Sequence, residues 1–162
     1  MNYEIREMKE QELEECASVI REGFLTVAEE FGLTRENAPT NGAFLQTERL
    51  IEERAKGHIM YAAVQGDRII GYMQLERSTP ELYFLQKLVV LPGYRHMGIG
   101  RALLSYAKEK VTDWEGNKIS IGIIEENTVL KNWYLSYGFE PTGTRKFEHL
   151  PFTVGFMELK LR

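Results

Sequence analysis

Leu88-Val89-Val90-Leu91-Pro92-Gly93-Tyr94-Arg95-His96-Met97-Gly98-Ile99-Gly100-Arg101 constrains this chain more than any other stretch. It reads as an apolar strand, a short turn, a glycine-bearing loop and then the amphipathic run Ala102 to Val111. A loop of this kind leaves backbone N–H groups free at the start of a helix. Backed by the helix dipole, those groups form a binding site for phosphate. Which phosphate is bound depends on the residues that fill the loop.

The rest of the chain bounds the answer. Its 162 residues fit one domain, expected over 1–162, with a proper hydrophobic core. No apolar run reaches the roughly 20 residues that cross a bilayer, so no membrane partner is expected. The opening Met1-Asn2-Tyr3-Glu4-Ile5-Arg6 reads as a mature strand without a leader. The lone Cys16 suits a reducing cytoplasm, and its neighbours Leu13, Ala17 and Ile20 place it in a helical apolar stripe as core filler. A formal net charge of −4 gives no electrostatic case for nucleic acid and tilts the second ligand toward a neutral or cationic one.

Periodicity orders the elements. Tyr3 to Arg6 alternates like a strand, and Leu13 to Phe31 carries a helical stripe. Gly32 to Gly42 reads as a loop. Phe44 to Ala55 reads as a helix with Thr47, Glu48, Arg49, Glu52 and Glu53 on its wet side. His58 to Val64 and Ile69 to Leu75 form a hairpin around Gly66-Asp67. Leu82 to Leu91 is a long central strand, and the helix after the glycine loop is expected to stop at Gly116. A strand at Ile119 to Ile124, a short helix over Val129 to Tyr137 and two antiparallel strands around Glu148 to Pro151 complete the chain. One α/β domain with a mixed sheet fits this order.

Two familiar phosphate loops fail on missing atoms. Gly93 and Gly98 have the separation of a nucleotide P-loop, but Ile99-Gly100 stands where that loop needs Lys and then Ser or Thr. A dinucleotide fingerprint needs a further glycine where this chain has Leu103.

What remains, Arg95-x-x-Gly98-x-Gly100 after Val90-x-Pro92, resembles the GNAT superfamily of acyl-CoA-dependent N-acetyltransferases. Asn127, Tyr134 and Gly138-Phe139 follow in the order and spacing of that family's second half. The resemblance covers essentially the whole chain. It implies a GNAT-like α/β fold with a mixed, largely antiparallel sheet of six to seven strands. About four helices flank that sheet, which splays between the fourth and fifth strands. It also implies acetyl-CoA as co-substrate, no metal, an amine acceptor, and a monomer or homodimer. By the same resemblance the N–H groups of Arg95, His96, Met97, Gly98, Ile99 and Gly100, with Arg101, cradle the pyrophosphate of CoA. Leu88, Val89 and Val90 lend backbone groups to the pantetheine arm, and Asn127 reaches the cofactor while also reading as a helix cap. His96 and Met97 replace the glycine or basic residue common in relatives, which lowers local charge but removes no N–H donor.

Acetyl transfer needs a neutral amine, a polarised thioester carbonyl and a stabilised leaving thiolate. An alkylamine with a pKa of about 10.4 must shed a proton at a cost of roughly 4 to 5 kcal/mol near neutral pH. By resemblance the Tyr134 hydroxyl faces the CoA sulfur, either protonating the thiolate or hydrogen-bonding it. Backbone N–H groups near Val90 would stabilise the developing oxyanion. Histone-type relatives carry a glutamate where this chain has Phe84, so the proton acceptor lies elsewhere: Glu76, Glu81, Glu125, Glu126 or His149, with a water relay preferred and Glu76 and Glu126 the leading carboxylates. The competing function is a non-catalytic acyl-CoA-binding or sensor module. The acceptor pocket would be drawn from Gly23 to Arg54 and Arg145 to Val154, where Phe24, Phe31, Phe44, Glu29, Glu30, Phe147 and Phe152 read either as an aromatic and acidic pocket or as core and surface.

Overall fold

The apolar runs Ile59–Gln65 and Arg68–Arg77 are nearly continuous because helices cover both faces of the sheet they form. A computed structural model describes residues 2–161; Met1 and Arg162, the ends of the expected domain, lie outside the described residues. Its strands are β1 (Glu4–Glu7), β2 (Ile59–Gln65), β3 (Arg68–Arg77), β4 (Leu82–Val90), β5 (Lys118–Ile124), β6 (Glu140–Lys146) and β7 (Thr153–Lys160). They form one 7-stranded sheet in the order β1-β2-β3-β4-β5-β7-β6. Every neighbouring pair is antiparallel except β4 and β5, which run parallel. The helices are α1 (Leu13–Glu30), α2 (Thr47–Ala55), α3 (Ile99–Asp113) and α4 (Thr128–Ser136). Among the described residues, no helix is long and apolar enough to cross a membrane. The mixed sheet and four flanking helices are those the resemblance implies.

Strand alternation decides which helix covers which face. Val89, paired with Tyr72, points toward α1, whereas Gly71, paired with Val90, lies under Leu103 of α3. The Gly66-Asp67 hairpin closes with Gln65 paired to Arg68 and Gly66 at φ 59.

Two expected boundaries move. The helix expected over Phe44 to Ala55 begins at Thr47, because Gly42–Phe44 forms a separate 3-10 turn capped by the Asn41 side chain. After α3, the left-handed residue is Glu115 at φ 65, not Gly116. Gly116 is needed for space instead: a Cβ there would lie 2.5 Å from Val111 Cγ1 and 2.9 Å from the Tyr83 ring.

Helix α1 sits directly on β4 through one glycine. A Cβ at Gly23 would fall 2.0 Å from Val89 Cγ2 and 3.5 Å from the Val90 carbonyl oxygen. Because the clash is with a β-branched side chain near the strand backbone, Gly23→Ala must push α1 and β4 apart. A loss of about 1–3 kcal/mol is expected, read as a fall of several degrees in the melting temperature. An unchanged melting temperature would show that α1 can back away from β4 freely.

Candidate active site

The parallel contact between β4 and β5 is brief. It links Leu82, Tyr83 and Phe84 to Lys118, Ile119 and Ser120 and stops there. Beyond that point β4 stays paired with β3 as far as Val90, and β5 stays paired with β7 as far as Ile124. The two strands therefore splay as expected, each with one backbone edge facing a cleft. The Leu91 N–H bonds to the Ile70 carbonyl at 2.9 Å, on the β3 side. Alternation along an antiparallel strand then turns the Val90 N–H and the N–H and C=O groups of Leu88 toward the cleft, while the Val90 carbonyl accepts from the Arg95 guanidinium.

Strand β4 carries a bulge in this stretch. Tyr72 pairs with Val89 and Gln74 with Gln86, so Lys87 and Leu88 together oppose Met73. Lys87 takes up the extra residue in a left-handed conformation, φ 55. In the sequence the insertion coincides with the polar pair Gln86-Lys87 inside an otherwise apolar strand.

At the wide end of the cleft lies the glycine loop. Pro92–Tyr94 forms one 3-10 turn, and the Arg95 N–H closes it by donating to the Pro92 carbonyl at 3.3 Å. His96 at φ 63 and Gly98 at φ 85 then swing the chain into α3. The first α3 N–H with a backbone partner is that of Ala102, which donates to the Gly98 carbonyl at 3.0 Å. Among the described residues, the N–H groups of His96, Met97, Gly98, Ile99, Gly100 and Arg101 make no hydrogen bond to protein. They are oriented donors at the positive end of a helix dipole, suited to an anion such as a pyrophosphate.

The Arg95 side chain turns the other way. Its Nη2 donates to the Gly23 carbonyl at 2.7 Å, its Nη1 to Thr26 Oγ1 at 2.9 Å and its Nε to the Val90 carbonyl at 3.2 Å. The guanidinium thus ties the loop to α1 and β4, and the Arg95 N–H is already used by the turn. Arg101 is exposed on the first turn of α3, and Met97 is also exposed.

Helix α4 forms the opposite wall. Asn127 caps it, its side chain accepting from the Leu130 N–H at 3.2 Å. Trp133 packs over the start of α3, 3.6 Å from where a Cβ on Gly100 would stand. The Tyr134 ring meets Trp133 and Phe139 edge-on, with centroids 5.0 and 5.1 Å away. Burial pushes its phenol well above the ordinary tyrosine value, so the hydroxyl stays a neutral donor. It has no hydrogen-bond partner among the described residues. The only sealed side-chain polar atom there without a partner is Asn117 Oδ1, so the Tyr134 hydroxyl keeps contact with open space.

The structure separates the expected carboxylates. Glu76 pairs with Phe84 at the closed end of the cleft, where its carboxylate meets His58 Nε2 at 3.3 Å and accepts from Gln86 Nε2 at 2.9 Å. Glu126 lies past the end of β5 at the wide end, accepting from the Thr153 N–H at 3.1 Å. The two cannot serve one reacting atom together. Glu125 is engaged with Lys131, Glu81 is exposed at the closed end, and His149 is exposed with its ring against Phe147. Of the candidate acceptor aromatics, Phe24, Phe31, Phe44 and Phe152 pack with Ile124 around Ala28, Leu33, Ala38 and Ala43 as a satellite core.

One group of residues was not singled out by the sequence. Glu53, read as solvent-facing, instead turns onto the sheet with a side chain 15% exposed. It meets Lys87 Nζ at 2.7 Å and accepts from Gln74 Nε2 at 3.0 Å. The available signal was polar residues inside apolar strands: Gln74 in β3, and Gln86 and Lys87 in β4.

Comparison with known proteins agrees with this geometry. The sequence profile of the Acetyltransferase (GNAT) family matches residues 21–139. An uncharacterized N-acetyltransferase from the pepI 3′ region of Lactobacillus delbrueckii subsp. lactis is 27% identical over 160 residues, covering 90% of this chain and 87% of that protein. The fold is similar to that of the ribosomal-protein-S18-alanine N-acetyltransferase from Escherichia coli, with TM-score 0.79 and 14% identity over 99% of this chain and 94% of that one. It is also similar to the PaiA N-acetyltransferase from Thermoplasma acidophilum in complex with coenzyme A, with TM-score 0.76 and 20% identity over 99% of each chain. The chain belongs to the GNAT acetyltransferase family and is an acetyl-CoA-dependent N-acetyltransferase.

Gly98 offers the sharpest test of the loop. Its left-handed φ of 85 disfavours any side chain, and Gly98→Glu adds a carboxylate beside the free donors. CoA affinity is expected to fall by about 100-fold or more in calorimetric titration. Retained affinity would place the anion elsewhere.

Proposed function

We propose that this enzyme passes the acetyl group of acetyl-CoA directly to a primary amine, on a small molecule or a protein, within one ternary complex. The observation that carries this reading is the Tyr134 hydroxyl on α4, without a hydrogen-bond partner among the described residues, together with the edge of β4 that β5 leaves unpaired beyond Phe84. The loop N–H groups from His96 to Arg101 hold the pyrophosphate, with the Arg101 side chain beside it; Arg95 contributes by fixing the loop to α1. Val90 and Leu88 pair with the pantetheine arm as a strand edge, while Val89 packs against Gly23. Asn127 sets the start of α4 and so the position of Tyr134.

When bound, the co-substrate supplies an activated thioester and a thiolate leaving group. The Leu88 N–H at the bulge polarises the carbonyl and stabilises the oxyanion. Tyr134 donates its hydroxyl hydrogen to the departing sulfur. Burial raises the tyrosine pKa further above that of a thiol, so full proton transfer to the sulfur is uphill and a hydrogen bond to the thiolate is the main contribution. Water carries the amine proton to a carboxylate, and Glu76 is the one assigned, because His58 and Gln86 fix it beside the cleft. No acyl-enzyme forms: Cys16 is fully buried and its thiol is pushed up to about 12 by desolvation.

A thiol-release assay over a panel of amines tests the reading. Turnover on at least one amine is expected, whereas CoA-dependent thermal stabilisation without any turnover would mark a binding module. On an accepted amine, Tyr134→Phe should lower kcat by about 100-fold and leave acetyl-CoA affinity within about twofold. Equal losses in both would remove the leaving-group role. Glu76→Gln should lower kcat about tenfold or more with folding intact, and Glu126→Gln should do much less. The reverse order would move the proton acceptor to the wide end of the cleft.

A further inference from the structure

We infer that Glu53 of α2 is a positioning residue for catalysis, latching Lys87 so that the β4 bulge aims the Leu88 N–H into the cleft. The inference rests on the reading of Leu88 as the donor to the thioester carbonyl. Lysine has no intrinsic preference for the left-handed region, where its Cβ crowds the backbone. At φ 55, Lys87 keeps a conformation that costs energy and that an external hold makes firmer.

Its side chain supplies that hold. Consecutive residues of a regular strand point to opposite faces. Here Gln86 and Lys87 both reach the α1 and α2 face, which only the bulge permits: Gln86 contacts Gln74 and Glu76, and Lys87 contacts Glu53. The ammonium and the carboxylate lie 2.7 Å apart with side chains 11% and 15% exposed. Arg49 Nε approaches the other Glu53 oxygen at 3.4 Å.

Behind the pair, the polar network is closed. The Tyr72 hydroxyl donates to Gln74 Oε1 at 2.7 Å, which leaves Gln74 Nε2 to face Glu53 Oε1 at 3.0 Å, His58 Nδ1 at 2.9 Å and Gln86 Oε1 at 3.3 Å. Gln74 is fully buried, so this orientation is fixed from both ends. A buried ion pair contributes little that packed apolar side chains would not, and its value lies in geometry. This one joins a rigid helix to the single residue that sets the phase of β4 next to the cleft.

The test uses the full chain with acetyl-CoA carbon-13 labelled at the thioester carbonyl, read by difference infrared spectroscopy together with kcat and acetyl-CoA affinity. In the wild type the bound carbonyl band should move to lower frequency than in free acetyl-CoA. Glu53→Gln should return the band toward the free position and lower kcat about tenfold or more, with affinity within about twofold, because the pyrophosphate loop is held separately through Arg95. The double variant E53Q/K87G should recover most of the lost kcat, since glycine adopts the left-handed φ unaided and leaves no unpaired ammonium. Should E53Q not fold, K87M carries the same test: it keeps the crowded Cβ, drops the latch and leaves Glu53 with Arg49 and Gln74. A shifted wild-type band and a kcat that these variants leave unmoved would overturn the latch alone. A wild-type band at the free position would overturn the Leu88 reading, and the latch with it.

Discussion

Beyond Phe84 and Ser120, β4 and β5 turn backbone edges toward each other without pairing, and the rest of the molecule is arranged around that parting. Unpaired N–H and C=O groups inside a sheet are costly unless something satisfies them. A linear molecule with amide groups of its own can do so, as the pantetheine arm of CoA would. The splay is stable because each strand is fully paired on its far side, β4 with β3 and β5 with β7. Neither strand needs the other beyond the closed end.

Keeping the gap at a fixed width takes contacts on both faces. On one, Gly23 lets α1 lie against Val89, and the Arg95 guanidinium reaches from the loop to α1 and β4 at once. On the other, Trp133 seats α4 against the start of α3 and holds Tyr134 against Phe139. The loop, the strand edge and the phenol are therefore tied to one another through packed contacts. That matters for group transfer, where a displacement of about 1 Å can cost about 100-fold in rate.

Much of this was legible in the chain. Periodicities of two and of three to four located the main strands and helices, since nearly every element buries an apolar face. The glycine loop was legible because backbone donors at a helix start depend on loop length and on glycine, both visible in sequence. What escaped was set by tertiary packing. Glu53 sits on a helix whose neighbours are charged, and only the position of α2 over the sheet shows that this carboxylate points inward. The bulge falls where Gln86 and Lys87 interrupt the apolar run, and that interruption does not by itself report an inserted residue. Arg95 looked like a phosphate ligand by its place in the motif, yet its side chain is spent on α1. Gly116 was read as a conformational stop when its role is spatial, beside Val111 and Tyr83.

The two halves of the site thus differ in kind. The side facing CoA is built largely from backbone: strand edge, loop N–H groups and helix dipole. Such a surface keeps its donors with His96 and Met97 in place of glycine, because neither removes an N–H, although His96 at φ 63 carries a Cβ in the left-handed region. The α1 and α2 face of β3 and β4 is built from side chains, with Glu53, Lys87, Gln74, His58, Gln86 and Glu76 joined into one network. A backbone surface fixes the chemical class of its ligand while sequence drifts. A side-chain network changes with each substitution, which is why the donor could be read from a motif and the network could not.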